Sequence, residues 1–207
     1  MNRFVLTILT AGALLALDVQ PAAATSIIYQ GGGRGTLIQV AVTGAGYGWA
    51  NRTVWAGELK WVWGEDPPPN YGNYDPTFHS YCADLLNTLT GTDDVDIKST
   101  NLLQVSSVPD AGGKAAWLFN TFAPAIHTQN YVARAEKVAA NQNAAALQVA
   151  IWASMLDSSN DRLGGTFQLS TIGVIKTKAI DYLSQLYAGG PSGYNTGAAS
   201  WFDTEVK

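Results

Sequence analysis

Cysteine is nearly absent from this chain. Cys82 is the single one in 207 residues, which excludes an internal disulfide and any multi-cysteine metal cluster. Histidine is almost as scarce, with His79 and His127 alone and no H-x₃-H or C-x₂-C spacing, so no metal or other cofactor is expected. Charge is sparse at 14% of residues, and the 12 Lys and Arg are scattered without a basic run, which argues against nucleic acid as a partner. No G-x-S-x-G motif is present, so a serine hydrolase has no support, and no cysteine-protease signature surrounds Cys82. The acidic stretches GTDDVD (Asp93, Asp94, Asp96) and DSSNDRLGG (Asp157, Asp161) do not fit the twelve-residue calcium loop with its terminal Glu. Beyond the first two dozen residues, no segment is long and apolar enough to cross a bilayer.

What remains is a chain rich in aromatics and glycine, with 7 Trp, 9 Tyr, 21 Gly and 47% hydrophobic residues. That composition suits a folded domain built from strands, tight turns and aromatic packing. The start, MNRFVLTILTAGALLALDVQPAAA, combines one Arg, an apolar stretch from Phe4 to Leu17 and an A-x-A end. This is the pattern of a secretory signal peptide over residues 1–24. The expectation is one exported domain over 25–207, secreted or at the cell surface.

From Ser26 to about Trp63 the segments SIIYQ, GTLIQVAVTG and RTVWAGELKWVWG read as strands. Leu59, Trp61 and Trp63 alternate with Lys60 and Val62, which makes one face strongly aromatic. After a Pro- and Gly-rich loop comes an extended apolar stretch, Phe78 to Leu86, carrying Cys82. The second half is helical. One helix is expected over about 113–122, stopped by Pro124. Another is expected near 130–140, and a third, capped by Asn141 or Asn143, runs to about Leu156. A last helix capped by Ser170 or Thr171 shows an apolar stripe of Ile172, Ile175, Ala179, Tyr182, Leu183 and Leu186, and a final strand near 193–206 pairs back to the sheet. The class is α+β, a β-sandwich or barrel-like portion with a packed helical portion.

Within the third helix, AALQVAIWASMLD, one residue is out of place. The helical neighbours of Gln148 are Ala144, Ala145, Ile151 and Trp152, so an amide sits on an apolar face. A buried amide left unpaired costs about 1–3 kcal/mol, and Gln148 must therefore find a partner. Its carboxamide carbon is also a weak electrophile. A thiolate held against it, with water excluded, can displace ammonia and leave an intramolecular thioester. That chemistry needs a cysteine without a disulfide partner, an inward-facing glutamine on a rigid element, and apolar walls. Cys82, Gln148 and the aromatic supply meet those requirements. A buried Cys packed as a small hydrophobe and a Gln bonded to backbone satisfy the same pattern without a bond.

YCADL (Tyr81 to Leu85) and LQVAIW (Leu147 to Trp152) resemble the two motifs of the bacterial thioester domains, small exported domains of surface proteins and adhesins. The strand WAGELKWVWG also looks like the strand that precedes the cysteine in that family, so the likeness extends over about residues 55–157, with its specificity in the two short motifs. Similar motifs occur in exported proteins with a PEP-CTERM sorting tail. The resemblance implies that Cys82 is the thiol, Gln148 the acyl donor, and Tyr81 and Trp152 aromatic walls of the binding pocket. It implies covalent attachment, once, to an amine such as a lysine of a surface protein or other extracellular ligand, and so a binding protein and not an enzyme. The chain departs from that family in showing no LPxTG-like signal and no hydrophobic tail.

Two other readings follow from the same residues. One is an exported structural or matrix protein in which the motif only packs helix against sheet. The other is a glycan-binding module that uses Trp55, Trp61 and Trp63, which requires those rings to be exposed. His79, three residues before Cys82, faces away from it on a strand and reads as surface, as does His127 in a loop after Pro124. Asp84 shares the Cys82 face and reads as a structural hydrogen-bonding group, and Trp117 reads as core.

Overall fold

The computed structural model describes residues 25–44, 47–64, 77–82, 92–99, 108–128, 133–157, 163–188 and 200–204. The expected signal peptide, Asp84 and Asp161 lie outside them. The class is α+β, and the described residues form a curled antiparallel sheet on one side and three helices on the other.

Two long strands, β1 (Thr25–Gly44) and β2 (Tyr47–Trp63), pair antiparallel along most of their length. Register shifts between Tyr29 and Gly31, Gly32 and Gly35, and Val40 and Val42 insert extra residues into the ladder. Such bulges bend a strand and raise its twist, so the hairpin curls toward a half-barrel. β3 (Thr77–Tyr81) pairs with β2. On the other edge of β1, β4 (Thr92–Ser99) pairs with its first residues and β5 (Phe167–Leu169) with its last. β6 (Ser200–Thr204) completes the sheet against β4, where the sequence placed a last strand. The order is β3-β2-β1-β4-β6, with β5 also on β1.

One bulge decides where a functional residue sits. Gly57 has φ +146°, and a Cβ there would collide with the Arg34 carbonyl and the Gly35 backbone. Only glycine meets both demands. The bulge presses β1 against β2 and leaves Glu58 on the inner face, directly opposite Tyr81 in the ladder.

The core lies between this inner face and the helices α1 (Ala111–His127), α2 (Arg134–Leu156) and α3 (Val174–Ala188). Ile38, Val40 and Val42 alternate inward on β1, while Leu37 and Gln39 are exposed. α2 is the central helix. Every residue from Ala144 to Met155 is buried, because the helix touches the sheet and both other helices. Its alanines allow that close approach, and a helix apolar on all sides is one covered on all sides. Among the described residues no helix is long and apolar enough to cross a membrane.

Three helical expectations are corrected. The two helices expected over 130–156 are a single helix, with Asn141 and Asn143 inside it and no cap. Asparagine is only a weak helix breaker, and tertiary burial of the alanine-rich half outweighs it. The start is instead tied by the Ala133 N–H, which donates to Glu136 Oε2 at 3.0 Å. The first helix passes through Pro124 to His127. Proline there removes one intrahelical donor, but the Thr128 N–H and hydroxyl both donate to the Pro124 carbonyl, at 3.1 and 3.0 Å, and hold the last turn. Neither Ser170 nor Thr171 caps the last helix. α3 starts after Gly173, and the Thr171 hydroxyl accepts from the Gln39 N–H at 2.9 Å, stitching the chain to β1. Ile172, placed in the stripe, is 83% exposed, while Ile175, Ala179, Leu183 and Leu186 are buried.

On the outer face, Leu59 and Trp61 are buried in a small cluster with Tyr29, Trp63 and Phe78. The Trp61 indole N–H donates to Ser80 Oγ at 2.7 Å, and Trp63 packs on Phe78 at 4.5 Å between centroids. Trp61 is 4% exposed and Trp63 partly buried, while Trp55 is exposed, so the three rings do not form one open face. Asp157, weighed above as a calcium ligand, is buried and accepts the Phe167 N–H at 3.1 Å, fixing the return into β5.

Candidate functional site

β3 ends at Tyr81, and Cys82 follows at its tip, over the middle of α2. Sixty-six residues later in the chain, Gln148 points from the buried half of α2 at that same residue. Its Oε1 accepts the Cys82 N–H at 2.9 Å. Its Nε2 donates to the Cys82 carbonyl at 2.7 Å. Both ends of the amide are therefore satisfied by the backbone of one residue, as a neighbouring strand would satisfy it. The Cys82 side chain branches from the Cα between those two groups. The structure thus brings together the two residues that the sequence singled out, and gives the amide its partner.

Tyr81 and Trp152 flank the pair differently. Tyr81 is packed against the core, with its ring edge-on to Phe119 at 6.0 Å. Trp152 lies one turn beyond Gln148 on α2, 3% exposed, against Phe167 at 6.2 Å. Both are part of the apolar core that α2 packs into. Neither the Tyr81 hydroxyl nor the Trp152 indole N–H has a hydrogen-bond partner among the described residues. Burial pushes the Tyr81 pKa far above its ordinary value, and the nearby Glu58 charge adds to this. An unpartnered buried hydroxyl costs its desolvation with no return. Tyr81→Phe is expected to fall within about 1 kcal/mol of wild type, on the stabilising side. A thermal melt checks this, and a clear loss of stability would show that the hydroxyl is bonded.

Beside the pair lies a group of residues that sequence reasoning missed. Glu58, fully buried, is bracketed by both histidines of the chain. His79 Nδ1 lies 3.1 Å from its Oε2 and His127 Nδ1 lies 3.1 Å from its Oε1. A carboxylate only accepts, so both imidazoles donate from Nδ1. Arg34 adds its backbone N–H to Oε2 at 3.3 Å and Nη1 to Oε1 at 3.4 Å. Burial alone would raise the Glu58 pKa. The hydrogen bonds from His127 and His79, the charge of His127 and the Arg34 amide outweigh it, and hold the carboxyl well below its usual range.

The expectation that both histidines are plain surface is thereby corrected. Each is partly buried and bound to Glu58. His127 gets there because α1 continues past Pro124, and His79 because Glu58 and Lys60 occupy the inward parity of β2, opposite Tyr81 and His79. The legible signal was that parity: in GELKW the aromatic face leaves Glu58 and Lys60 on the other side.

A cavity of about 550 Å³ opens over Glu58, walled by Arg34, Lys60, His79, His127, Lys137 and Asn141. The ligand atoms of Glu58, His79 and His127 lie within 4.8 Å of one another, close enough to suggest a metal. Three permanent cations share the cavity with them, however, and repel a dication. No protein-family model matches the chain, and comparison with curated proteins and with solved structures found no match.

Proposed function

We propose that this is an exported binding domain that forms a Cys82–Gln148 thioester and attaches covalently, once, to an amine of its partner. The observation that carries the reading is the double hydrogen bond between the Gln148 amide and the backbone of Cys82. It holds the carboxamide of a buried helix beside the only thiol of the chain.

The chemistry follows from that arrangement. The Cys82 thiolate attacks the Gln148 carbonyl carbon, and negative charge develops on Oε1. The Cys82 N–H already points at that oxygen and stabilises the charge. The proton given up by the thiol is delivered to Nε2, the C–N bond breaks, ammonia leaves and the thioester remains. An incoming neutral amine then attacks the same carbon, with the same N–H stabilising the second oxyanion. The C–S bond breaks, the thiolate takes a proton, and an amide joins Gln148 to the partner. Tyr81, Trp152 and the alanines of α2 keep water from the bond until an amine arrives. A step that occurs once per molecule is attachment and not turnover.

The same hydrogen bonds also support a second reading, an exported structural protein in which Gln148 only fastens α2 to β3. Intact mass of the purified mature protein separates the two. The thioester reading expects a mass short by one ammonia relative to the sequence, and addition of one methylamine on incubation. A mass equal to the plain sequence, with one thiol open to a thiol reagent in the folded protein, would favour the structural reading.

A further inference from the structure

The cavity over Glu58 is not used by the thioester step, and its chemistry is unlike that of the amine-capture site. Among the described residues Glu58 is its one acidic wall residue, and both carboxylate oxygens are taken up by donors. Arg34 shares that network, and among the described residues neither Lys60 nor Lys137 has an ion-pair partner. Three permanent cations therefore face one compensated carboxylate, in a chain whose net charge is −4. Asn141 adds an amide, and the imidazoles, turned to Glu58 through Nδ1, keep their second nitrogen for other contacts.

We propose that this cavity is an oxyanion-binding subsite, which holds a carboxylate, sulfate or phosphate group of the partner. Lys60 and Lys137 attract the anion. Arg34, fixed by Glu58, and the two imidazoles, oriented by it, form the floor. Glu58 is the buried anchor that positions these groups without contacting the ligand.

The subsite lies a defined distance from the bond-forming pair. On α2, Asn141 precedes Gln148 by seven residues, two turns on the same face and about 10 Å along the axis. On β3, His79 precedes Cys82 by three residues, again about 10 Å for extended chain. An acidic group bound here would sit about 10 Å from an amine at Gln148 and select among the amines of a partner. That use of the subsite rests on the thioester reading. The binding itself does not.

The test is made on the full mature chain carrying Cys82→Ala, which cannot form a thioester, so that failure of one reading is separable from failure of the other. Sodium sulfate, phosphate and acetate are titrated separately against chloride at constant ionic strength. The two histidine side chains are followed by NMR, since the chain has only two. The expected result is a saturable shift of both imidazoles, with the tightest of the three salts naming the class of oxyanion. Lys137→Glu, on the exposed start of α2, is expected to weaken binding by about tenfold or more while leaving the fold unchanged by circular dichroism. No saturable shift, or binding that Lys137→Glu leaves intact, would overturn the proposal. So would a response to zinc chloride with none to the anions, which would make the cluster a metal site. With the wild-type protein, a lysine peptide bearing a glutamate three residues away should add faster than its glutamine counterpart, and sulfate should remove the difference. Equal rates would overturn the guiding role.

Discussion

Cys82→Ala is expected to give a folded protein with the mass of its plain sequence and no uptake of methylamine. The contrast with Gln148→Ala makes this informative. Both changes remove the adduct, and both remove any link that closes the 66-residue segment between the two positions. A link of that span restrains the unfolded chain as a disulfide does, by about 4 kcal/mol in the chain-entropy account. Wild type should therefore exceed Cys82→Ala in stability by about that amount, if the thioester is formed. The two variants should then differ from each other. In Cys82→Ala the backbone N–H and carbonyl of residue 82 keep their bonds to the amide, because the glutamine reads the backbone and not the thiol. In Gln148→Ala both backbone groups lose their partner, and a void opens in the most buried stretch of α2. That adds about 3 kcal/mol of destabilisation. Denaturant unfolding of the three proteins, with intact mass before and after methylamine, reads all of these effects. Methylamine uptake by the Cys82→Ala protein would sink the thioester reading outright. Equal stability of the two variants would sink the role given to the amide.

The second large effect concerns Glu58 and acid. Its pKa in the folded protein is held well below the ordinary 4.5. A depressed carboxyl contributes stability that is complete above the unfolded value. The contribution fades as pH falls below about 4.5 toward the folded value. The groups facing it are Arg34 and the two histidines, with Lys60 and Lys137 across the cavity and the neutral Tyr81 beside it on β3. Glu58→Gln leaves Arg34, Lys60 and Lys137 without their buried counter-charge. It is expected to cost about 3–5 kcal/mol near neutral pH and to flatten the loss of stability between pH 5 and the acid end. Melting temperatures across that range check both parts. A variant as stable as wild type at pH 7, or one with the same acid slope, would show that the network contributes nothing.

How much of this was legible beforehand varies with the range of the interaction. The strands of the long hairpin and the amphipathic last helix are written in local alternation and 3.6-residue periodicity, although SIIYQ and GTLIQVAVTG, which read as separate strands, join across their glycines into the single β1, and a last strand lies within the expected 193–206. Helix ends were read less well. Asn141, Asn143, Pro124 and Thr171 carry local signals for caps and stops; burial overrules the two asparagines, the Thr128 bonds carry the helix past Pro124, and a long-range hydrogen bond ties Thr171 to β1. The aromatic face of β2 is legible in its alternation, and the same alternation sets an opposite parity. That parity, Glu58 and Lys60, holds the cavity.

By itself the sequence determined the class of fold and the two residues worth watching. A lone cysteine and an amide on an apolar helical face are each anomalous in their own neighbourhood, and an anomaly needs no partner to be seen. Only the tertiary structure decided that Gln148 meets Cys82 through its backbone. It alone joined Glu58, His79 and His127, which come from three different elements. Taken singly these are an ordinary strand glutamate and two surface-like histidines. Their meaning is set by a bulge in β1 that closes against Gly57 of β2, by a helix that survives its proline, and by the cross-strand pairing of β2 with β3. Those are long-range contacts, and no window of neighbouring residues contains them.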